Sequence, residues 1–365
     1  MSSGPFTAAG TGHVQRLRAW MASQHADAAY ITRPVSIAYL TGFRSEPMER
    51  LMALAVRPEG ATLIVPALEK DHAANAVSDA GVVAWRDGED PYEVAREALT
   101  GAERVAVEKD HLSVRDAELL RLGHVLDASG EVRRMRSVKT AAELEKLRRA
   151  AAITDDVYER VVRGIRAGQS ELEVANAIST GITAAGGTLA FEPLVQFGAS
   201  SAIPHHRPDD RRLAAGDLVL LDFGAAFEGY CADTTRMAVA GRPSEQQTEI
   251  HRVVLEAHDA AIAAVRAGVT AGDVDAAARD VIRAANQAEH FIHRTGHGLG
   301  LEAHEDPSLD PGSKMLLEAE MVATIEPGIY MHGWGGVRIE DDVVVGPRGA
   351  RLLTQADRTL FVIPA

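Results

Sequence analysis

Residues 218–236 read LVLLDFGAAFEGYCADTTR. An apolar run ends on Asp222, a glycine-containing turn follows, and Asp233 opens a second strand-like run. The pattern returns at residues 323–340, ATIEPGIYMHGWGGVRIE, where Glu326 and Glu340 take the two acidic positions. Two antiparallel hairpins, each giving two carboxylates from its core side, would bring four acids together.

Each stretch has the same prelude. Helical periodicity over residues 140–165 and 171–185 precedes strand-rich sequence from 188 to 240. Helices over 244–266 and 271–287 precede strand-rich sequence from 290 to 363. Helix, helix, strands therefore occurs twice, the mark of an internal repeat. Four carboxylates cannot be buried together as bare anions; they protonate or recruit cations. Residues 293–307, HRTGHGLGLEAHEDP, add His297 to the set. Oxygen ligands with one imidazole suit manganese, cobalt, iron or zinc, and carboxylates bridging two ions hold them roughly 3.5–4 Å apart. The glycines of GHGLG lack a strand-to-helix setting, so they read as close backbone approaches rather than a dinucleotide loop.

Upstream, residues 1–133 alternate short apolar runs with helical patterns and read as a modest α/β domain. The basic stretch EVRRMRSVKT follows, and Thr140 with Glu143 forms a capping-box pattern that opens the next helix. The expected division is thus 1–133 and 134–365, two domains being the better prior for 365 residues. With 46% hydrophobic and 25% charged residues the chain is globular, and its net charge of −14 argues against nucleic acid as a partner. No apolar run approaches the roughly 18 residues of a membrane span, and the N-terminus lacks the apolar core of a signal peptide, so a cytoplasmic protein without a membrane partner is expected. Cys231 is the single cysteine, which excludes an internal disulfide and a multi-thiolate zinc site. It reads as a small buried side chain.

The order Asp222, Asp233, His297, Glu326, Glu340, within LDFGAAFEGYCADTTR, HRTGHGLGLEAHE, IEPGIY and GVRIEDDV, closely resembles the pita-bread metallopeptidases of the prolidase and aminopeptidase P family. YLTGF (39–43) and MRSVKTAAELEKLRRA (135–150) resemble that family's creatinase-type N-terminal domain and linker. The resemblance implies an α/β creatinase-like domain followed by an α+β pita-bread catalytic domain with pseudo-two-fold symmetry. It implies two divalent ions, manganese foremost with cobalt, zinc or iron as options. Asp222 would chelate one, Asp233 and Glu340 would bridge, and His297 and Glu326 would hold the other. The implied reaction is hydrolysis of an Xaa-Pro peptide bond, with Glu326 moving the proton and with His304 and His205 touching the reacting carbonyl. The implied assembly is a homodimer. His293 matches a histidine lining the substrate pocket, and His206 matches nothing. Arg338, two residues from Glu340, is expected to offset the anionic cluster and orient the bridging carboxylate; Thr235 is expected to donate to a ligand oxygen.

Rival classes are a methionine aminopeptidase, which would not need the N-terminal domain, a creatinase-like C–N hydrolase, which would not need the metals, and a binding scaffold with a broken ligand set. Within the family, a dipeptidase must recognise the free carboxylate of Xaa-Pro, whereas an aminopeptidase leaves that direction open. Arg44 and Arg50 follow YLTGF, and Arg44 is the expected carboxylate anchor, which favours the dipeptidase.

Overall fold

The structure, a computed structural model, describes residues 11–364. The first ten residues, on which the expected absence of a signal peptide partly rests, lie outside them. The chain divides into two compact units, Met1–Arg136 and Ser137–Ala365.

In the first unit α1 (Thr11–Ser23), α2 (Pro34–Thr41), α3 (Lys70–Ala76), α4 (Pro91–Ala98), α5 (Val114–Leu120) and α6 (Ser129–Ser137, its last residue past the division) accompany one six-stranded sheet. Its strands are β1 (Ala28–Ile31), β2 (Ala53–Val56), β3 (Ala61–Pro66), β4 (Gly81–Trp85), β5 (Arg104–Val107) and β6 (His124–Asp127), in the order β4-β3-β2-β1-β5-β6. The alternating runs of Val, Ala, Leu and Ile fill the sheet because β-branched and apolar side chains pack on a pleated surface. Three elements escape sequence periodicity: α2, α3 and α6. The basic stretch expected as an interruption is in part the helix α6, whose last turn holds Arg134 and Arg136, a favourable place for cations.

In the second unit, α7 (Ala141–Gly164) starts on a complete capping box of Thr140 and Glu143 and buries Leu144, Leu147, Ile153, Val157 and Val162 along one face. Then come α8 (Glu171–Ala184), β7 (Thr188–Leu189), β8 (Leu194–Phe197), β9 (Leu218–Phe223), β10 (Ala225–Phe227), β11 (Tyr230–Cys231) and β12 (Thr234–Ala240). The second half has α9 (Glu245–Ala264), α10 (Ala271–Ala284), β13 (His297–Gly298), β14 (Glu305–Ser308), β15 (Val322–Ile325), β16 (Gly328–Met331), β17 (Gly335–Arg338), β18 (Asp341–Val345), β19 (Ala350–Leu352) and β20 (Phe361–Ile363).

The symmetry is of nested pairs rather than simple hairpins. Antiparallel β9 and β12 enclose the small pair β10–β11, and antiparallel β15 and β18 enclose β16–β17. Each outer pair carries the acids: Asp222 lies on β9 and Asp233 just before β12, Glu326 just after β15 and Glu340 just before β18. The halves meet where Glu340 N donates to Thr235 O at 3.1 Å. Behind that contact the buried Arg236 donates to Thr235 O (3.0 Å), Asp341 Oδ1 (2.7 Å) and Ala356 O, fixing both strand ends. Among the described residues no helix is long and apolar enough to cross a membrane.

Candidate metal centre

The ends of the two outer pairs open into a cavity of about 870 Å³ lined by Asp222, Asp233, His297, Glu326 and Glu340, and by His205, His293, His304 and Arg338. Asp222, Asp233, His297 and Glu340 are buried; Glu326 is nearly so. His297 Nδ1 faces its neighbour's carbonyl, Gly298 O, at 3.1 Å, which turns Nε2 towards Glu326 Oε1 (3.2 Å) and Asp233 Oδ2 (4.0 Å). Asp233, His297 and Glu340 each offer one ligand atom, and these atoms lie within 4.8 Å of one another. Gly296 and Gly298 on either side of His297 allow this approach: a Cβ on either would stand 2.0 Å from a main-chain oxygen, Thr324 O or Asp306 O.

Burial first, then the neighbouring carboxylates, pushes Asp233 and Glu340 well above the usual carboxylate range, and burial raises Asp222 against the pull of Arg338. Glu326 is the exception. Burial, the largest influence, would raise it too, but the His297 hydrogen bond and the charges of His297, His293 and Arg338 together outweigh it and hold it at about 2. Asp222 Oδ1 and Asp233 Oδ1 are buried with no hydrogen-bond partner among the described residues. Clustered anions with unsatisfied lone pairs, in sites that raise their proton affinity, are a donor set that fits divalent cations.

A shell of polar side chains orients the acids. Thr235 Oγ1 donates to Glu340 Oε2 at 2.7 Å. Arg338 departs from expectation: its Nη2 bonds Asp222 Oδ2 and its Nε bonds Thr235 Oγ1, so it reaches Glu340 only through the threonine. The reason is register, since Asp222 pairs directly with Thr235 across β9 and β12. Asp233 N donates to Asp342 Oδ2 at 2.9 Å.

The family-model comparison decides what this unit is: residues 145–347 match metallopeptidase family M24, and residues 13–138 match the creatinase/prolidase N-terminal domain. The chain belongs to metallopeptidase family M24. A Staphylococcus haemolyticus protein described as an uncharacterized peptidase is 38% identical over 94% of this chain and 99% of its own length. A Thermococcus sibiricus prolidase superposes with a TM-score of 0.92 at 35% identity, covering 98% of this chain and 100% of its own. A Thermotoga maritima X-Pro aminopeptidase gives 0.89 at 32% identity over 96% and 99%. The fold is therefore a creatinase-type domain followed by a pita-bread M24 domain, and the protein is a metal-dependent peptidase.

The histidines of this M24 site differ in setting. His304 lines the cavity wall, its ring 4.2 Å from that of His297; partial desolvation of the ring first, then the charges of His297 and Arg294, lower it to about 4. His293 is held by Tyr330, whose hydroxyl lies 2.9 Å from His293 Nε2 and accepts from Arg338 Nη1 at 2.8 Å. His205 is exposed on the cavity wall. Its neighbour His206, which matches nothing in the family, faces the fully buried Glu171 at 3.0 Å. Arg44 is exposed in the segment after α2 of the first unit, and Arg50 is taken by Asp87 and Glu49.

Sequence reasoning missed Tyr330, Glu171 and Asp275. Tyr330 has a usable signal, since it lies two residues after Gly328, the direct partner of Arg338, and strand alternation puts it on the same face. Asp275 also has one, the i,i+4 partner Arg279, with which it pins the loop of His293 and His297 through Thr295 N and Oγ1. Glu171 has none, because its partners lie 26 to 38 residues away.

Proposed function

We propose that this M24 peptidase hydrolyses Xaa-Pro peptide bonds and prefers Xaa-Pro dipeptides. The observation that carries the reading is the cavity itself, in which four carboxylates and His297 converge with unsatisfied oxygens on Asp222 and Asp233. Asp222, Asp233, His297, Glu326 and Glu340 would hold two divalent ions, manganese foremost. When bound, such ions supply Lewis acidity and make a water acidic enough to ionise near neutral pH.

The chain's own groups do the rest. Glu326 Oε1 accepts from Thr324 Oγ1 at 3.3 Å, so Oε2 accepts the proton of the attacking water and returns it to the proline nitrogen as the C–N bond breaks. His304, neutral near pH 7, donates a hydrogen bond to the carbonyl oxygen as charge develops there, and His205 donates from the other loop. Tyr330 and Arg338 keep His293 and Asp222 in place. A proline leaving group has no N–H and a fixed ring, which suits an apolar wall of Phe191, Leu194 and Ile292. Arg44 is the sequence's candidate for the substrate carboxylate. A homodimer in the cytoplasm belongs to the same proposal.

The test is turnover of an Xaa-Pro dipeptide and of the same peptide extended by one residue, before and after metal removal. Metal-dependent cleavage favouring the dipeptide is expected; equal cleavage of both identifies an Xaa-Pro aminopeptidase, and no cleavage of either overturns the proposal.

A further inference from the structure

Lys139, two residues beyond the end of α6, is buried together with the carboxylate it meets. Its Nζ lies 3.2 Å from Glu305 Oε2, and the two side chains are 1% and 4% exposed. Among the described residues neither lines the metal cavity. Burying such a pair is a poor way to gain stability. Stripping water from two charges costs about as much as their attraction returns, and apolar side chains of similar volume often do as well or better. What the pair supplies instead is a fixed geometry, because neither charge can leave the other without standing bare in the interior.

That geometry reaches His304. The second oxygen, Glu305 Oε1, accepts from Glu302 N at 3.0 Å, and Glu302 O accepts from Gly300 N at 3.0 Å. Residues 300–305 thus form a closed turn, with His304 inside it, next to the carboxylate that closes it. At the other end of the turn Gly300 O accepts from Cys231 N at 2.7 Å. Gly300 also leaves the ion pair its space: a Cβ there would stand 2.7 Å from Glu305 Oε2 and 2.9 Å from Lys139 Nζ. Lys139 is itself anchored. Its N–H donates to Glu320 O at 3.0 Å and Val138 bridges Met321, directly before β15, whose far end leads into Glu326. The ammonium therefore joins the turn of His304 to the strand that delivers Glu326.

We propose that Lys139 is a positioning residue for the reaction: through Glu305 it holds His304 at the distance from Glu326 at which hydrogen-bond donor and proton carrier serve one scissile bond. The inference rests on the reading of His304 as a donor to the reacting carbonyl. Such a donor has to be held within about 0.5 Å of its productive place. Loss of the tie should therefore cost turnover while leaving substrate and metal affinity as they are.

The experiment measures kcat and KM on an Xaa-Pro dipeptide for wild type, Lys139→Met, His304→Ala and the double variant, with metal content and thermal unfolding as controls. Lys139→Met is expected to lower kcat about tenfold at unchanged KM and metal content. In the His304→Ala background, already slowed roughly 10²-fold, the same substitution should cost nothing further. A folded, metal-loaded Lys139→Met enzyme with wild-type kcat overturns the inference, and so does a tenfold loss that persists without His304. Should Lys139→Met fail to fold, Lys139→Met with Glu305→Gln takes its place, since that pair leaves no bare charge and no longer bonds; the same two outcomes then support or overturn the inference. Should wild type cleave no Xaa-Pro peptide, the proposed function fails, and the imidazole NMR signal of His304, identified by its absence in His304→Ala, decides the positioning. A signal displaced by Lys139→Met supports it, and an unmoved signal overturns it.

Discussion

Glu171→Gln keeps the shape of a fully buried side chain at the start of α8 and removes its charge. Glu171 Oε1 accepts from Phe197 N (2.7 Å) and Ser200 Oγ (2.6 Å); Oε2 accepts from Asp209 N (3.2 Å) and lies 3.0 Å from His206 Nε2. These four contacts close the segment that carries His205. A glutamine oxygen can keep one pair of donors, but its nitrogen then faces the other. His206 can answer by changing tautomer, whereas the Asp209 N–H cannot. One part-buried donor left unmatched costs about 1–3 kcal/mol, and loss of charge assistance at the remaining bonds adds about 0.5–1 kcal/mol each. About 3 kcal/mol of stability should therefore disappear, measurable by urea unfolding. The segment stays attached, because Gln196 Nε2 still donates to Ile203 O (3.1 Å) and His206 O (3.1 Å). With His205 less well aimed, kcat on an Xaa-Pro dipeptide should fall about tenfold. The decisive measurement is the double-mutant cycle with His205→Ala: if Glu171 acts through His205, its substitution costs nothing further once His205 is gone. Full additivity of the two losses would refute the reasoning.

Other expectations follow from the same geometry. Glu340→Ala should lose bound metal and at least about 10³-fold in activity while remaining folded; near-wild-type turnover of metal-free protein refutes the metal role. His304→Ala should keep its metal and lose roughly 10²-fold in kcat; a fall in metal content with unchanged turnover per bound metal assigns His304 to ligand support instead. In the first unit, burial pushes Glu108 up to about 7 from its ordinary 4.5, with Ser36 Oγ donating to it at 2.7 Å. The fold thus favours the protonated acid, a contribution complete below about pH 4.5 and lost as pH rises through 7, at most about 3 kcal/mol by linkage. Glu108→Gln should flatten the stability of this unit across that window, and an unchanged pH slope in unfolding midpoints would count against it.

The fold was legible wherever a local pattern fixes local structure. Thr140 with Glu143 marks the start of α7, and the glycine-punctuated apolar runs around Asp222 and Glu326 mark the outer strand pairs, though not the small pairs nested within them. Short helices such as α2 and α3 were not, since they lack the side-chain N-caps, Asp90 and Ser113, that mark the equally short α4 and α5. In the site, residues adjacent in a recurring motif could be found together. Contacts between distant segments could not: Glu171 with His206, Tyr330 with His293, and the choice of Arg338 for Asp222 over Glu340 depend on strand register and on loops folding back.

The crowding of main chain around His297 bears on how such an enzyme can be re-engineered. At residues 296 and 298 any added side chain meets a peptide oxygen at 2.0 Å, and a peptide oxygen, unlike a side-chain tip, cannot swing aside. Substitutions at these two positions should therefore cost activity whatever the side chain. The exposed Ile203 and Ile292 at the cavity wall, 53% and 65% accessible, carry no such constraint and can be exchanged without moving a ligand. Reactivity is thus written into main-chain packing and substrate choice into replaceable side chains, so a screen for new peptide preferences can leave the first untouched and search only the second.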